Sequence, residues 1–203
     1  TSYCVFCLNF GWGALFPAAA QGYTFANPLD LLAFTALSGS VVAAGYVFVY
    51  AQHMAAKLFA RIDLRIRPAI GIGAAALMTA GVYALASKLM GGNQTLLLDI
   101  MGEGYGALNS ALTGTDTIAW LLLLVAAGKI VASALTIGSG GAAGEFAPSM
   151  VIGGCVGGAF GLLAQGVWPD AWGACPPASA FALLGMAGYY AGVAKVPVAT
   201  VFI

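Results

Sequence analysis

The sequence alternates long apolar runs with short polar breaks. No Asp, Glu, Lys or Arg occurs from Leu31 to Ala56, from Pro68 to Ser87, from Phe146 to Pro169 or from Ala171 to Ala194. A run of about 20 apolar residues spans bilayer hydrocarbon as an α-helix. Backbone polar groups in lipid must pair within the segment, so helix is the expected state of each run. Period-two alternation is absent, which argues against a membrane β-barrel. The pattern predicts a first helix ending near Pro17, a polar loop through "QGYTFANPLD" and a long helix from Pro28 to Arg61. Pro68 opens a helix to Leu89, which "GGNQT" breaks. Residues 96 to 114 read as irregular or as a short helix. Asp116 or Thr117 is placed to cap the helix through "TIAWLLLLVAAGKIVASALTI". Helices from Phe146 or Ala147 to about Trp168 and from about Ser179 to Ala194 follow, and Pro197 opens a last one.

Composition agrees. The chain is 61% hydrophobic and 7% charged with formal net charge +0, against about 25% charged residues in soluble domains. In water such a fold would expose a largely apolar surface. The expected fold class is an all-α polytopic membrane protein, integral and multi-pass, with the lipid bilayer as a partner and no nucleic acid. Four of the seven basic residues, Lys57, Arg61, Arg65 and Arg67, sit in "YAQHMAAKLFARIDLRIRP". The positive-inside rule makes that segment cytoplasmic. Thr1 is not an initiator Met, and "VPVATVFI" stops within an apolar run, so the sequence reads as part of a longer protein. No basic region precedes the first apolar stretch as in a signal peptide.

Candidate chemistry is sparse. Cys4, Cys7, Cys155 and Cys175 form no secreted disulfide framework, and the C-x-x-C at 4–7 reads as packing thiols. Asn93-Gln94-Thr95 is a glycosylation sequon, a short and weak match. His53 is the sole histidine, and no catalytic pair, metal site or cofactor is expected. Lys129 lies inside an apolar helix and has two readings: a functional intramembrane cation, or a side chain snorkelling to an interface.

The densest signal is "GSGGAAGEFAPSMVIGG" at 138–154. Gly138, Ser139, Gly140, Gly141 and Gly144 precede Glu145, Phe146, Ala147 and Pro148. A helix starting there presents unpaired N–H groups and a partial positive charge, and glycines let an anion approach the backbone. Irregular backbone inside a membrane survives only where it is buried or lines a cavity, and transporters use such breaks at their substrate sites. A tight interhelical turn is the other reading. A phosphate loop does not fit, since no Gly-Lys-Ser/Thr follows and no strand precedes. Gly153, Gly157 and Gly161 then recur every fourth residue, a face that lets another backbone come close.

Residues 138 to 161 resemble the CLC family of chloride channels and chloride/proton antiporters. Its G-x-F-x-P signature is matched by Gly144 to Pro148. "MGEGYGALNSALTG" and "FALLGMAGYYAGVAKVPVATVFI" look like the family's flanking segments, and the likeness covers essentially the whole chain. The resemblance implies inverted repeats of broken, tilted helices, of which this chain holds mainly the second half. It also implies chloride or a similar small anion as ligand, bound by the backbone N–H groups of Glu145 and Phe146, and a homodimer in the full-length form. The gating glutamate, the chloride-binding serine and the pore tyrosine lie outside this sequence. Glu103 is not that glutamate, because Tyr105 stands where its motif has proline, and Tyr189 and Tyr190 are not the pore tyrosine. The variable signature position is a carboxylate, Glu145, expected to point away from the ion or to be paired by Arg or Lys from segments outside this sequence. A relative handling nitrate or fluoride, or a non-transporting membrane scaffold, are the alternatives.

The positive-inside reading is checked by labelling. In intact cells making the full-length protein, Leu64→Cys should resist a membrane-impermeant thiol reagent until the membrane is permeabilised. Efficient labelling from outside would reverse the orientation.

Overall fold

The computed structural model describes residues 28–90, 95–113, 118–142, 144–168 and 175–195. All regular structure among them is helical: α1 (Asp30–Phe59), α2 (Arg67–Met90), a 3-10 helix (Thr95–Ile100), α3 (Tyr105–Thr113), α4 (Ala119–Gly138), α5 (Phe146–Val167) and α6 (Ala178–Ala194). Helices α1, α2, α4 and α5 are each long and apolar enough to cross a bilayer. The expected first helix, the Asn93-Gln94 part of the sequon, the Cys4–Cys7 pair and the helix from Pro197 lie outside the described residues.

Most boundaries fall within two residues of expectation, for local reasons. Asp63 organises the basic turn: its carbonyl accepts from the Arg67 N–H, and its carboxylate accepts from the Arg65 N–H at 3.2 Å. Pro68 is the second residue of α2, where a missing N–H removes no helical bond. The ambiguous 96–114 stretch is two short helices. Between them Gly104 adopts φ +86°, and a Cβ there would meet Val151 at 2.7 Å. The Asp99 carboxylate accepts the Ala107 N–H and so caps the start of α3. One expectation changes: the N-cap of α4 is Ile118, in extended conformation and with no side-chain cap. Asp116 and Thr117 lie outside the described residues.

Helix α5 is the centre of the packing, buried without a break from Ser149 to Ala159. Its glycine face meets α6 backbone to backbone. A Cβ on Gly153 would lie 2.5 Å from the Gly185 carbonyl oxygen, one on Gly157 2.9 Å from the Phe181 carbonyl carbon, and one on Gly161 2.8 Å from the Ala178 Cα. Gly158, on a different face, would meet the Ala111 Cβ of α3 at 3.0 Å. Without water to drive association, such close contact is what holds membrane helices together. By contrast, α1 and α2 turn apolar side chains outward, with Tyr46 72% and Leu77 77% exposed.

Gly157→Ala forces backbone apart, whereas Gly73→Ala meets nothing within 4 Å. In thermal melts of the purified full-length protein, Gly157→Ala should destabilise by about 1–3 kcal/mol. Gly73→Ala should be neutral or stabilising by up to about 1 kcal/mol, because alanine replaces an interior helical glycine.

Candidate functional site

The signature segment is where α4 stops and α5 starts. Helix α4 ends in a Schellman motif: the Gly141 N–H donates to the Thr136 carbonyl at 3.0 Å and the Gly140 N–H to the Ile137 carbonyl at 2.9 Å. Gly140 occupies the left-handed position of that motif at φ +85°. Ser139 is fully buried, with its hydroxyl donating to the Thr136 carbonyl at 2.9 Å. The glycines therefore have separate jobs. Gly138, expected in the loop, is the last residue of α4; a Cβ on it would lie 2.6 Å from the Ala55 Cβ of α1. Gly140 supplies the backbone angle that turns the chain. Gly144 has open space around it.

Helix α5 starts at Phe146, the first of the two starts the sequence predicts, with Glu145 as N-cap at φ −85°, ψ −13°. The first intrahelical bond runs from the Ser149 N–H to the Glu145 carbonyl at 3.1 Å. The amides of Glu145, Phe146 and Ala147 precede it, and Pro148 has no N–H to leave unsatisfied. The Glu145 side chain makes no cap bond at this end. Apart from Gly138, the site residues named from sequence fall in the turn Ser139–Gly141, at Gly144 and in the helix start Glu145–Pro148.

Other elements hold this feature, through residues the sequence did not single out. Gln52 of α1 donates from Nε2 to Glu145 Oε1 at 3.3 Å. Among the described residues the Glu145 side chain is thus paired, as one of the two expectations had it, by a neutral amide of this chain. The Phe146 ring meets Tyr190 of α6 edge-on, with centroids 5.0 Å apart and planes at 87°. Arg67, at the start of α2, lies over Gly140, 3.2 Å from where a Cβ would sit. A polar Gln inside the charge-free stretch 31–56 was the available signal for Gln52; the ring contact had none. Ala55 and Gln52 place the loop nearer the basic end of α1 than its middle.

Behind the loop is a cavity of about 480 Å³, lined by Gly144, Ala147 and Pro148 on one side and by Lys129, Ser133 and Glu103 on another. Lys129 is 5% exposed and its ammonium donates to the main-chain carbonyls of Asp99, at 3.2 Å, and Gly102. This bears on the two sequence readings of Lys129: the side chain ends on the turn after the 3-10 helix, inside the fold.

Four apolar helices of spanning length, two of them joined through a broken glycine segment, mark an integral multi-pass membrane protein. The chain belongs to the voltage-gated chloride channel family, whose pattern it matches over residues 1–203. It is 30% identical to the H(+)/Cl(−) exchange transporter ClcA of Vibrio cholerae over 158 residues, covering 76% of this chain and 30% of that protein. It is 40% identical to the chloride channel protein CLC-f of Arabidopsis thaliana over 89 residues, 41% of this chain and 11% of that one. The chain thus spans less than a third of either relative. Their names describe transport and not catalysis.

Gly140→Ala should destabilise the full-length protein by about 1–2 kcal/mol, because an L-residue pays a steric penalty in the left-handed region. Gly144→Ala should leave its melting temperature unchanged. Equal effects of the two substitutions would refute this separation of roles.

Proposed function

We propose that the full-length protein carries chloride or a similar small anion across a membrane, and that the anion rests on the N–H groups of Glu145 and Phe146. The supporting observation is the start of α5, where these amides precede the first helical bond and the Glu145 side chain makes no cap bond. A helix N-terminus carries a partial positive charge of about half a unit. It attracts an anion without a full cation, so binding stays weak enough for release. Channel and exchanger need the same resting place, so the proposal holds for either. Membership of the family supports chloride as the first candidate, and the homodimer that the resemblance implies is part of the same proposal.

Glu145 is compatible with this role because its carboxylate is drawn toward Gln52. A unit charge about 6 Å from the anion, at an effective dielectric near 20, would oppose binding by roughly 3 kcal/mol, an upper figure for a side chain turned aside.

Isothermal titration of chloride into the full-length protein tests the proposal, after each variant has been shown to be monodisperse. Glu145→Gln keeps both N–H donors and should bind as tightly as the parent or more tightly. Phe146→Pro deletes one donor and should lose about 1.5–3 kcal/mol, roughly ten- to hundredfold in affinity. Loss of binding in Glu145→Gln with retention in Phe146→Pro would mean that the side chain, and not the backbone, carries the site.

A further inference from the structure

We propose that the turn between α1 and α2 docks the headgroup of an anionic phospholipid of the surrounding bilayer, through Lys57, Arg61 and Arg65. Helices α1 and α2 are both long and apolar enough to span hydrocarbon, so residues 60–66, which join them, lie at the depth of the lipid headgroups. Lys57 is in the last turn of α1, Arg61 and Arg65 are in the connection, and Arg67 opens α2. Arg67 is half-buried and lies over Gly140. Lys57, Arg61 and Arg65 are exposed. Among the described residues no ion pair neutralises any of the three. Asp63 is the single acid between Asp30 and Asp99 in the sequence, and its carboxylate accepts the Arg65 main-chain N–H.

Charge alone would only orient the chain in the membrane, and it asks nothing of the residues in between. Here those residues are apolar and turned outward: Leu58 is 66% exposed, Leu64 71% and Ile66 54%. Facing water, they would form an apolar patch with nothing to cover it. At the headgroup boundary both kinds of side chain are satisfied. The apolar ones enter the acyl layer, and the cations stay with the phosphates. An acidic segment of a soluble protein would meet the charges and leave Leu58, Leu64 and Ile66 unmatched, so a lipid is the better fit.

The main chain of this surface is held in shape by its own bonds. Ala55 and Phe59 are buried, which fixes the opposite face of α1 outward. The Ala60 N–H donates to the Ala56 carbonyl and the Ile62 N–H to the Phe59 carbonyl, each at 3.0 Å. The Asp63 carbonyl accepts from the N–H groups of Ile66 at 3.2 Å and Arg67 at 3.1 Å. Binding a headgroup therefore orders little beyond the basic side chains themselves. Each Lys or Arg beside an anionic leaflet strengthens attraction about fivefold. Three of them, opposed by one acid, give a clear preference for a charged headgroup over a zwitterionic one.

The measurement is native mass spectrometry of the full-length protein in detergent, titrated with phosphatidylglycerol or with phosphatidylcholine of the same acyl chains. Phosphatidylglycerol should bind more tightly by roughly ten- to hundredfold. Lys57→Gln, Arg61→Gln and Arg65→Gln should each reduce that preference about fivefold, and the triple substitution should abolish it. Lys88→Gln, at the far end of α2, should leave it unchanged. Leu64→Ser should weaken phosphatidylglycerol binding severalfold. Glycerophosphoglycerol, the same headgroup without acyl chains, should not compete at matched concentration. Equal binding of the two lipids overturns the inference. So does a preference that survives the triple substitution or that Lys88→Gln removes, because the charge then lies elsewhere. Competition by the free headgroup, or indifference to Leu64→Ser, would mean that a soluble anion and not a lipid fits the turn, and also overturns it. Should the triple variant fail to fold, the three single substitutions decide, and an unchanged preference in all of them counts against the inference. None of these readouts depends on anion transport, so this inference and the proposed function fail separately.

Discussion

A helix interrupted in an apolar setting leaves carbonyls at one end and N–H groups at the next, and each unmet group costs free energy. The rest of this structure depends on how the break between α4 and α5 meets that constraint. The carbonyl side is satisfied internally, by the Schellman bonds of Gly140 and Gly141 and by the Ser139 hydroxyl. Among the described residues the N–H side is not: α5 begins on an N-cap whose side chain makes no cap, and its first internal bond belongs to Ser149. The proposed anion site rests on that asymmetry. A symmetric break, capped at both ends, would be only a turn.

Keeping such an end open requires that neighbours hold it in position. Gln52, Arg67 and Tyr190 approach the segment from three different helices, and Ser139 is fully buried. The glycine face of α5 sets its axis by direct contact with the α6 backbone. Lys129 does similar work behind the loop, tying α4 to the turn that leads to α3. The side chains of Glu145 and Phe146 are thus occupied by other contacts, while their main-chain N–H groups precede the helical ladder.

Much of this was legible in the sequence because lipid allows few alternatives. Charge-free runs of sufficient length marked α1, α2, α4 and α5, and the start of α5 at Phe146 followed from Gly144, Glu145 and Pro148. The four-residue spacing of Gly153, Gly157 and Gly161 marked a close backbone contact, though not its partner. What could not be read depended on tertiary geometry. Gly138 looks like Gly140 in sequence, but one packs on Ala55 within a helix and the other turns the chain. Residues 95–113 carry weak local signals, and their two short helices depend on Asp99, Gly104 and the Lys129 bonds. The Gln52 partner of Glu145 lies 93 residues away, beyond any local pattern.

The central claim is that main-chain N–H groups, and not side chains, hold the anion. Replacing the amide between Glu145 and Phe146 by an ester in the full-length protein tests it most directly, because every side chain is kept and one N–H becomes an oxygen. Chloride titration should then show affinity reduced by about ten- to hundredfold, the loss of one charge-assisted bond. Unchanged affinity in a correctly folded ester variant would contradict the account.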